Sequence, residues 1–231
     1  RREENKNDDD SNLIEEQNNN EYNNKDNNGT NNAKEQEEKK TGQLKMKKNT
    51  EQNSSKEYEI KICLLGDVSV GKTSIASRFC KNSFNENYIN TIGGAYQQQN
   101  IILNNGVKMK LHIWDTSGQD RFRSMTNLYY RDAQVAILTY DIGKEETLDS
   151  LSYWLKELND KVDQDNMLLC LAGNKSDLEP AKKKVPTAKG KEFAEQNNMI
   201  FFETSAKTGA GVKELFQAIA TKEYAIITEN K

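Results

Sequence analysis

The 231-residue sequence predicts an α/β fold: a six-stranded, mostly parallel sheet with one antiparallel edge strand and helices on both faces. Three observations carry this. From residue 58 onward, short apolar runs alternate with stretches of helical periodicity, as in strands joined by crossover helices. Runs such as "QVAILTYDI" and "NMLLCLAGNK" show no polar alternation, as befits strands covered on both faces. The pair Asn105-Gly106 between two further runs signals a tight hairpin, which supplies the antiparallel edge.

Taken in order, "YEIKICLLG" is strand-like in its β-branched and apolar content and runs straight into a glycine loop. "KTSIASRFCKN" follows as a helix with Ile75, Ala76 and Phe79 on one side. "QQQNIILN" and "VKMKLHIWD" form the hairpin arms, and "QVAILTYDI" is a buried strand. "EETLDSLSYWLKEL" reads as one amphipathic helix with Leu148, Leu151, Leu155 and Leu158 aligned. "NMLLCLAGNK" is a strand, "TAKGKEFAEQNN" a helix, "MIFFETS" a strand and "VKELFQAIATKEYAI" a closing helix. Pro180 and Pro186 both precede the helix that starts near Thr187.

Composition divides the chain. Residues 1–57 are mostly Asn, Glu, Lys, Asp and Gln, and bury too little apolar surface to offset an ordering entropy of roughly 1–2 kcal/mol per residue. They are expected to be a disordered extension, with a domain over 58–228 and the start of a tail at 229–231. The extension holds 11 Lys and Arg against 14 Asp and Glu, the whole net charge of −3; the remainder carries 22 of each. That neutral remainder offers no basic face for nucleic acid. The lysines at 45, 47 and 48 read as solvated linker rather than a membrane contact. No apolar run is long enough to span a bilayer, and no signal peptide is evident. Cys63, Cys80 and Cys170 lack metal-ligand spacing; Cys63 and Cys170 lie in apolar runs and are expected as buried, reduced thiols.

The chemistry lies at the carboxyl ends of the strands, where ligands of such folds sit. "GDVSVGKTS" spans Gly66 to Ser74, and Gly66 to Thr73 fits G-x-x-x-x-G-K-[ST] between a strand and a helix. The glycines let the backbone of Val68, Ser69, Val70, Gly71 and Ser74 curl around phosphates, at the positive end of the helix dipole. Lys72 would reach the β- and γ-phosphates, and the Thr73 hydroxyl would ligate Mg2+. The base is read separately. In "NKSD", Asp177 would accept from both donors of guanine, which adenine lacks, and the Lys175 stem would lie along the ring beside Asn174. "SAK" places Ser205, Ala206 and Lys207 after the next strand, where the Ala206 N–H would meet the guanine oxygen. "WDTSGQDRF" supplies a γ-phosphate sensor: Asp115 for the metal, Gly118 for the phosphate and Gln119 to orient water. Thr91 would complete the metal sphere. Contacts that depend on the γ-phosphate make both segments switches.

These motifs, with "IGGAY" (92–96), "RFRSMT" (121–126), "YYRDA" (129–133) and "LTYDI" (138–142), make residues 58 to 228 resemble a Rab-family small GTPase of the Ras superfamily, most similar to the early-endosomal Rab group. The resemblance implies a P-loop G domain that binds GTP or GDP with Mg2+, hydrolyses GTP slowly and recruits effectors on the cytosolic face of endosomal or related vesicle membranes. It implies an exchange factor and a GTPase-activating protein, since no intrinsic arginine finger is evident. It also places Phe84 edge-on to the guanine, and makes Tyr96, Trp114 and Tyr129 the aromatic triad that effectors read. Rab proteins end in a tail with prenylated cysteines. Because the sequence starts at Arg1 and stops at "IITENK", truncation is expected, with the lipid anchor outside it.

The chain departs from the family at Tyr96, where Phe is usual, and at Ser117 and Asp120. Val68 stands where Gly or Ser is usual, and its methyls would crowd Gln119. This raises an alternative, a GTP-bound scaffold with very slow hydrolysis. A nucleoside kinase would need acceptor or lid insertions that the short loops exclude. His112 reads as a strand side chain, Trp154 as packing, and Arg78 as pointing away from the γ-phosphate.

Overall fold

The computed structural model describes residues 57–87, 89–162 and 167–229, within a unit that spans Ser54–Lys231. The expected disordered extension up to residue 56, with its lysine run, lies outside the described residues, as do residues 230 and 231.

Six strands form one sheet in the order β2-β3-β1-β4-β5-β6. They are β1 (Tyr58–Leu65), β2 (Gly94–Ile102), β3 (Lys108–Thr116), β4 (Val135–Asp141), β5 (Leu168–Asn174) and β6 (Ile200–Thr204). Every pairing is parallel except β2 with β3, the expected antiparallel edge. The helices are α1 (Lys72–Lys81), α2 (Arg123–Tyr130), α3 (Glu145–Asp149), α4 (Leu151–Lys161), α5 (Thr187–Gln196) and α6 (Val212–Glu229).

Strand alternation sorts the core into two layers. Ile60, Ile62 and Leu64 of β1 meet Ile75 and Ala76 of α1 and Leu215, Phe216 and Ile219 of α6. Cys63 and Leu65 point the other way, toward Tyr130 of α2, Leu148 of α3, Trp154 of α4 and Ala194 of α5. Cys63 and Cys170 thus lie in opposite layers, buried and unbonded, as expected of reduced thiols. Phe79 stacks on Phe216 with ring centroids 3.9 Å apart, closing α1 against α6.

The structure refines four elements. The β2 strand starts at Gly94 rather than Gln97, because Tyr96 pairs with Trp114 across the ladder. The hairpin turn is the three-residue kind: Leu103 N–H bonds the Val107 carbonyl at 2.8 Å, and Gly106 takes φ +80. The helix expected over 145–158 breaks at Ser150, whose hydroxyl donates to the Thr147 carbonyl at 3.1 Å. Trp154 rather than Leu155 fills the core there. Helix α6 runs through Glu229, one residue past the expected domain end.

Candidate functional site

Loops from the carboxyl ends of β1, β3, β5 and β6 converge on a cavity of about 460 Å³, within the range of small-ligand sites. One end is walled by Val68, Ser69, Gly71, Lys72, Thr73 and Ser74, the other by Asn174, Lys175, Asp177, Ala206 and Lys207. Phe84 and Thr91 flank it, with Gly118 from the loop after β3. Most residues singled out in the sequence therefore meet in one place. Gly66, Val70, Asp115, Gln119 and Ser205 do not line the cavity: Gly66, Val70, Asp115 and Ser205 support those that do, and Gln119 is turned elsewhere.

At the first end the loop reverses through three positive φ angles, at Gly66 (134), Ser69 (64) and Gly71 (104). A Cβ on Gly66 would meet the Thr139 carbonyl oxygen at 2.2 Å, so a side chain there would displace the loop from β4. Lys72 is buried, and its ammonium donates to the Gly66 and Asp67 carbonyls at 2.7 and 2.8 Å. Burial pushes its pKa down to about 8, with Asp115 and Asp67 opposing the shift. The cation is thus held beneath the loop by backbone dipoles, ready to exchange them for a stronger anionic partner.

Beside it, the Thr73 hydroxyl lies 2.8 Å from the Thr91 hydroxyl and donates to Asp115 Oδ2. Asp115 is fully buried, and desolvation lifts its pKa to about 6 against the hydrogen bond from Thr73. Its Oδ1 has no hydrogen-bond partner. An orphaned carboxylate oxygen next to two hydroxyls is a hard-oxygen donor set of the kind Mg2+ takes. Among the described residues no group of three or more His, Cys, Asp or Glu forms a self-sufficient metal cage. Such an ion would need water and ligand oxygens to complete its shell.

At the second end Asn174 joins three segments. Its Nδ2 donates to the Val70 carbonyl at 2.9 Å, and its Oδ1 accepts from the Thr204 hydroxyl and the Ala206 N–H, both at 3.2 Å. It ties the loop after β1 to the loop after β6. Ser205 donates to Asp177 Oδ1 at 2.5 Å and fixes that carboxylate. Lys175, at φ +70, donates to buried Asp141 at 2.6 Å, which pins its alkyl stem at the cavity wall. Lys207 reaches Glu86 at 2.7 Å and closes one rim. The sequence presents Arg78 only as a residue facing away from the γ-phosphate. Its guanidinium bonds the Ala206 and Lys207 carbonyls at 2.8 and 2.7 Å and clamps the "SAK" loop to α1.

The Ras family sequence profile matches residues 61–225. The chain is 43% identical over 179 residues to Ras-related protein Rab-5B of Plasmodium falciparum (isolate 3D7), covering 78% of this chain and 84% of the relative. It is 44% identical over 170 residues to Ras-related protein Rab-5A of Dictyostelium discoideum, covering 74% and 83%. The chain belongs to the Ras family, as a Rab-type small GTPase. It is a GTP-binding, GTP-hydrolysing switch of vesicle traffic, in the group of the early-endosomal Rab proteins. Rab GTPases work with effectors, exchange factors and GTPase-activating proteins.

In this Rab protein the loop after β3 packs directly on the phosphate loop. A Cβ on Gly118 would meet the Asp67 carbonyl carbon and the Val68 nitrogen at 2.3 Å, so glycine is needed for backbone clearance as well. The Gln119 side chain is turned out, its Oε1 accepting from Arg121 at 2.8 Å. The aromatic triad is contiguous: Tyr96 to Trp114 is 5.2 Å and Trp114 to Tyr129 is 5.8 Å between centroids. A Cβ at Gly94 would meet the Tyr129 ring at 2.6 Å, which accounts for the second glycine of "IGGAY". Among the described residues no helix is long and apolar enough to cross a membrane.

Proposed function

We propose that the cavity holds GTP with its triphosphate in the loop from Gly66 to Ser74 and its guanine between Asn174, Lys175, Asp177 and the Ser205–Lys207 turn. Asp177 accepts from the two donors of guanine, and Phe84 packs against the base. Lys72 leaves the Gly66 and Asp67 carbonyls for the β- and γ-phosphates. Thr73, Thr91 and Asp115 would hold Mg2+, which would supply positive charge against that building on the phosphates. Gln119 swings from Arg121 to orient a water that attacks the γ-phosphorus; the bond to the β,γ-bridging oxygen breaks, giving GDP and phosphate. Gly118 and Thr91 read the γ-phosphate, and their segments relax when it leaves. A partner's arginine is expected to accelerate the step by ~10³–10⁵. Effectors dock on Tyr96, Trp114, Tyr129 and the two switch segments, at endosomal membranes reached through a lipid anchor outside the described residues.

The observation that supports this reading best is the Asn174 hydrogen-bond set, which brings a phosphate-binding loop and a base-reading loop to one cavity. The alternative raised by Val68, a scaffold with very slow turnover, draws no support from the comparisons with known proteins. Val68 sits at the rim, 43% exposed. The test is single-turnover phosphate release from protein stripped and reloaded with GTP, with Gln119→Leu as control. Slow release that the control lowers further supports the assignment. Equal release from both would remove Gln119 from the mechanism.

A further inference from the structure

On the outer part of the sheet, next to the aromatic triad, a polar chain runs across three strands. The register places His112 level with Lys61 of β1 and Gln98 of β2, and Trp114 level with Tyr96. His112 Nε2 lies 2.9 Å from Glu59 Oε2, and His112 Nδ1 lies 2.6 Å from the Tyr96 hydroxyl. The same hydroxyl lies 3.0 Å from Gln98 Oε1. Lys110 also donates to Glu59, at 3.2 Å. Lys61 is occupied elsewhere, donating to the Arg131 carbonyl and sitting over the Trp114 ring.

The direction of each bond follows from donor counting. The hydrogen bonds from His112 and Lys110 hold the Glu59 carboxyl below its ordinary value, so it is ionised and only accepts. Nε2 must therefore carry a proton. A neutral imidazole has a single N–H, so Nδ1 is left with its lone pair, and the proton of the 2.6 Å contact belongs to Tyr96. Tyr96 has only that proton and cannot also donate to Gln98. The Gln98 amide then presents its NH2 to the phenol oxygen, a choice of orientation that such geometry leaves open. A tyrosine in place of the usual phenylalanine thus gives its proton to His112, takes the Gln98 N–H on one side and keeps one acceptor site for a partner.

We propose that His112 is a positioning residue of the effector-facing surface: it commits the Tyr96 proton to its own Nδ1 and leaves the phenol oxygen an acceptor, so a partner seated on Tyr96 and Trp114 supplies an N–H or O–H donor among apolar side chains. This rests on the reading of the triad as the partner surface.

His112 is the only histidine, so its imidazole 15N signals need no assignment. In the full chain loaded with GDP, in mildly alkaline buffer, the expected spectrum shows a protonated Nε2 and an unprotonated Nδ1 displaced from its free value by a strong donor. Tyr96→Phe should return Nδ1 to the free value with Nε2 still protonated, and Glu59→Gln should let the two tautomers mix. An Nδ1–H tautomer, or an Nδ1 signal unmoved by Tyr96→Phe, overturns the proposal. Synthetic binders selected on the wild-type protein and dependent on Trp114 should place Arg, Lys or Asn against Tyr96, and weaken about tenfold on Tyr96→Phe, the worth of one hydrogen bond. Binders that meet Tyr96 with a carboxylate overturn it. GDP retention in the same samples reports on the nucleotide reading separately, since the tautomer is read whether or not GDP stays bound.

Discussion

Replacing Asn174 by Ala tests how the two ends of the cavity are held together. The side chain makes three hydrogen bonds, and it is 2% exposed. Its removal leaves two main-chain groups, the Val70 carbonyl and the Ala206 N–H, without their partner; the Thr204 hydroxyl can rotate to another acceptor. A buried polar group left unpaired costs about 1–3 kcal/mol, so the two sum to about 2–6 kcal/mol. Water entering the vacated space relieves part of this, leaving about 2–3 kcal/mol. For a domain of this size that is a fall in Tm of about 4–12 °C. Because the lost bonds join the phosphate end to the base end, release of a fluorescent GDP analogue should also speed up, by about tenfold or more. Thermal unfolding of the nucleotide-free protein and stopped-flow release measure the two effects. Asp177→Ala is the control: it should raise release with a smaller fall in the nucleotide-free Tm, since it removes one hydrogen bond, from a hydroxyl that can rotate. An Asn174→Ala protein with wild-type Tm and wild-type release would refute the reasoning.

Arg78→Ala should free the "SAK" loop and raise GDP release by about tenfold, as expected for loss of charged hydrogen bonds, with hydrolysis of bound GTP nearly unchanged. Arg78→Lys should rescue only in part, because an ammonium lacks the fork that spans two carbonyls. Chelation of Mg2+ should raise GDP release by roughly ten- to a hundredfold in wild type and much less in Thr73→Ala, if the Thr73–Asp115 cluster holds the ion. Glu223, buried in α6 with Oε1 unpartnered, has its pKa raised by desolvation from 4.5 to about 7. The folded state holds this proton more tightly than the unfolded state. The contribution is therefore complete below about pH 4.5 and is lost as pH rises through about 7. Urea titrations from pH 4.5 to 8 should show wild type losing on the order of 3 kcal/mol relative to Glu223→Gln; parallel profiles would contradict it.

The strands and the nucleotide motifs were legible because each rests on neighbours in sequence. An apolar run, a glycine loop between strand and helix, and Asn-Gly between two runs are all local signals. Helix α2 was missed because only Thr126 and Tyr130 of its eight residues are buried, and a threonine does not register as a core position. The break at Ser150 was missed because a serine that folds back on its own helix leaves the leucine spacing intact. The roles of Asn174 and Arg78 were out of reach for a different reason. Their partners lie 104 and 128 residues away, so the same letters would fit a surface amide and a solvated cation. The position of Gln119 was not legible either, since its contact with Arg121 depends on the course of the loop after β3.

The proposed reader of guanine is Asp177, whose carboxylate is fixed by Ser205. Competition of GDP and ADP for the stripped protein tests it most directly. A site built to pair two donors rejects a base that lacks them by ~10⁴–10⁵. A preference of that order for GDP, collapsing in Asp177→Ala, is expected; comparable affinity for GDP and ADP in the wild-type protein would contradict that role.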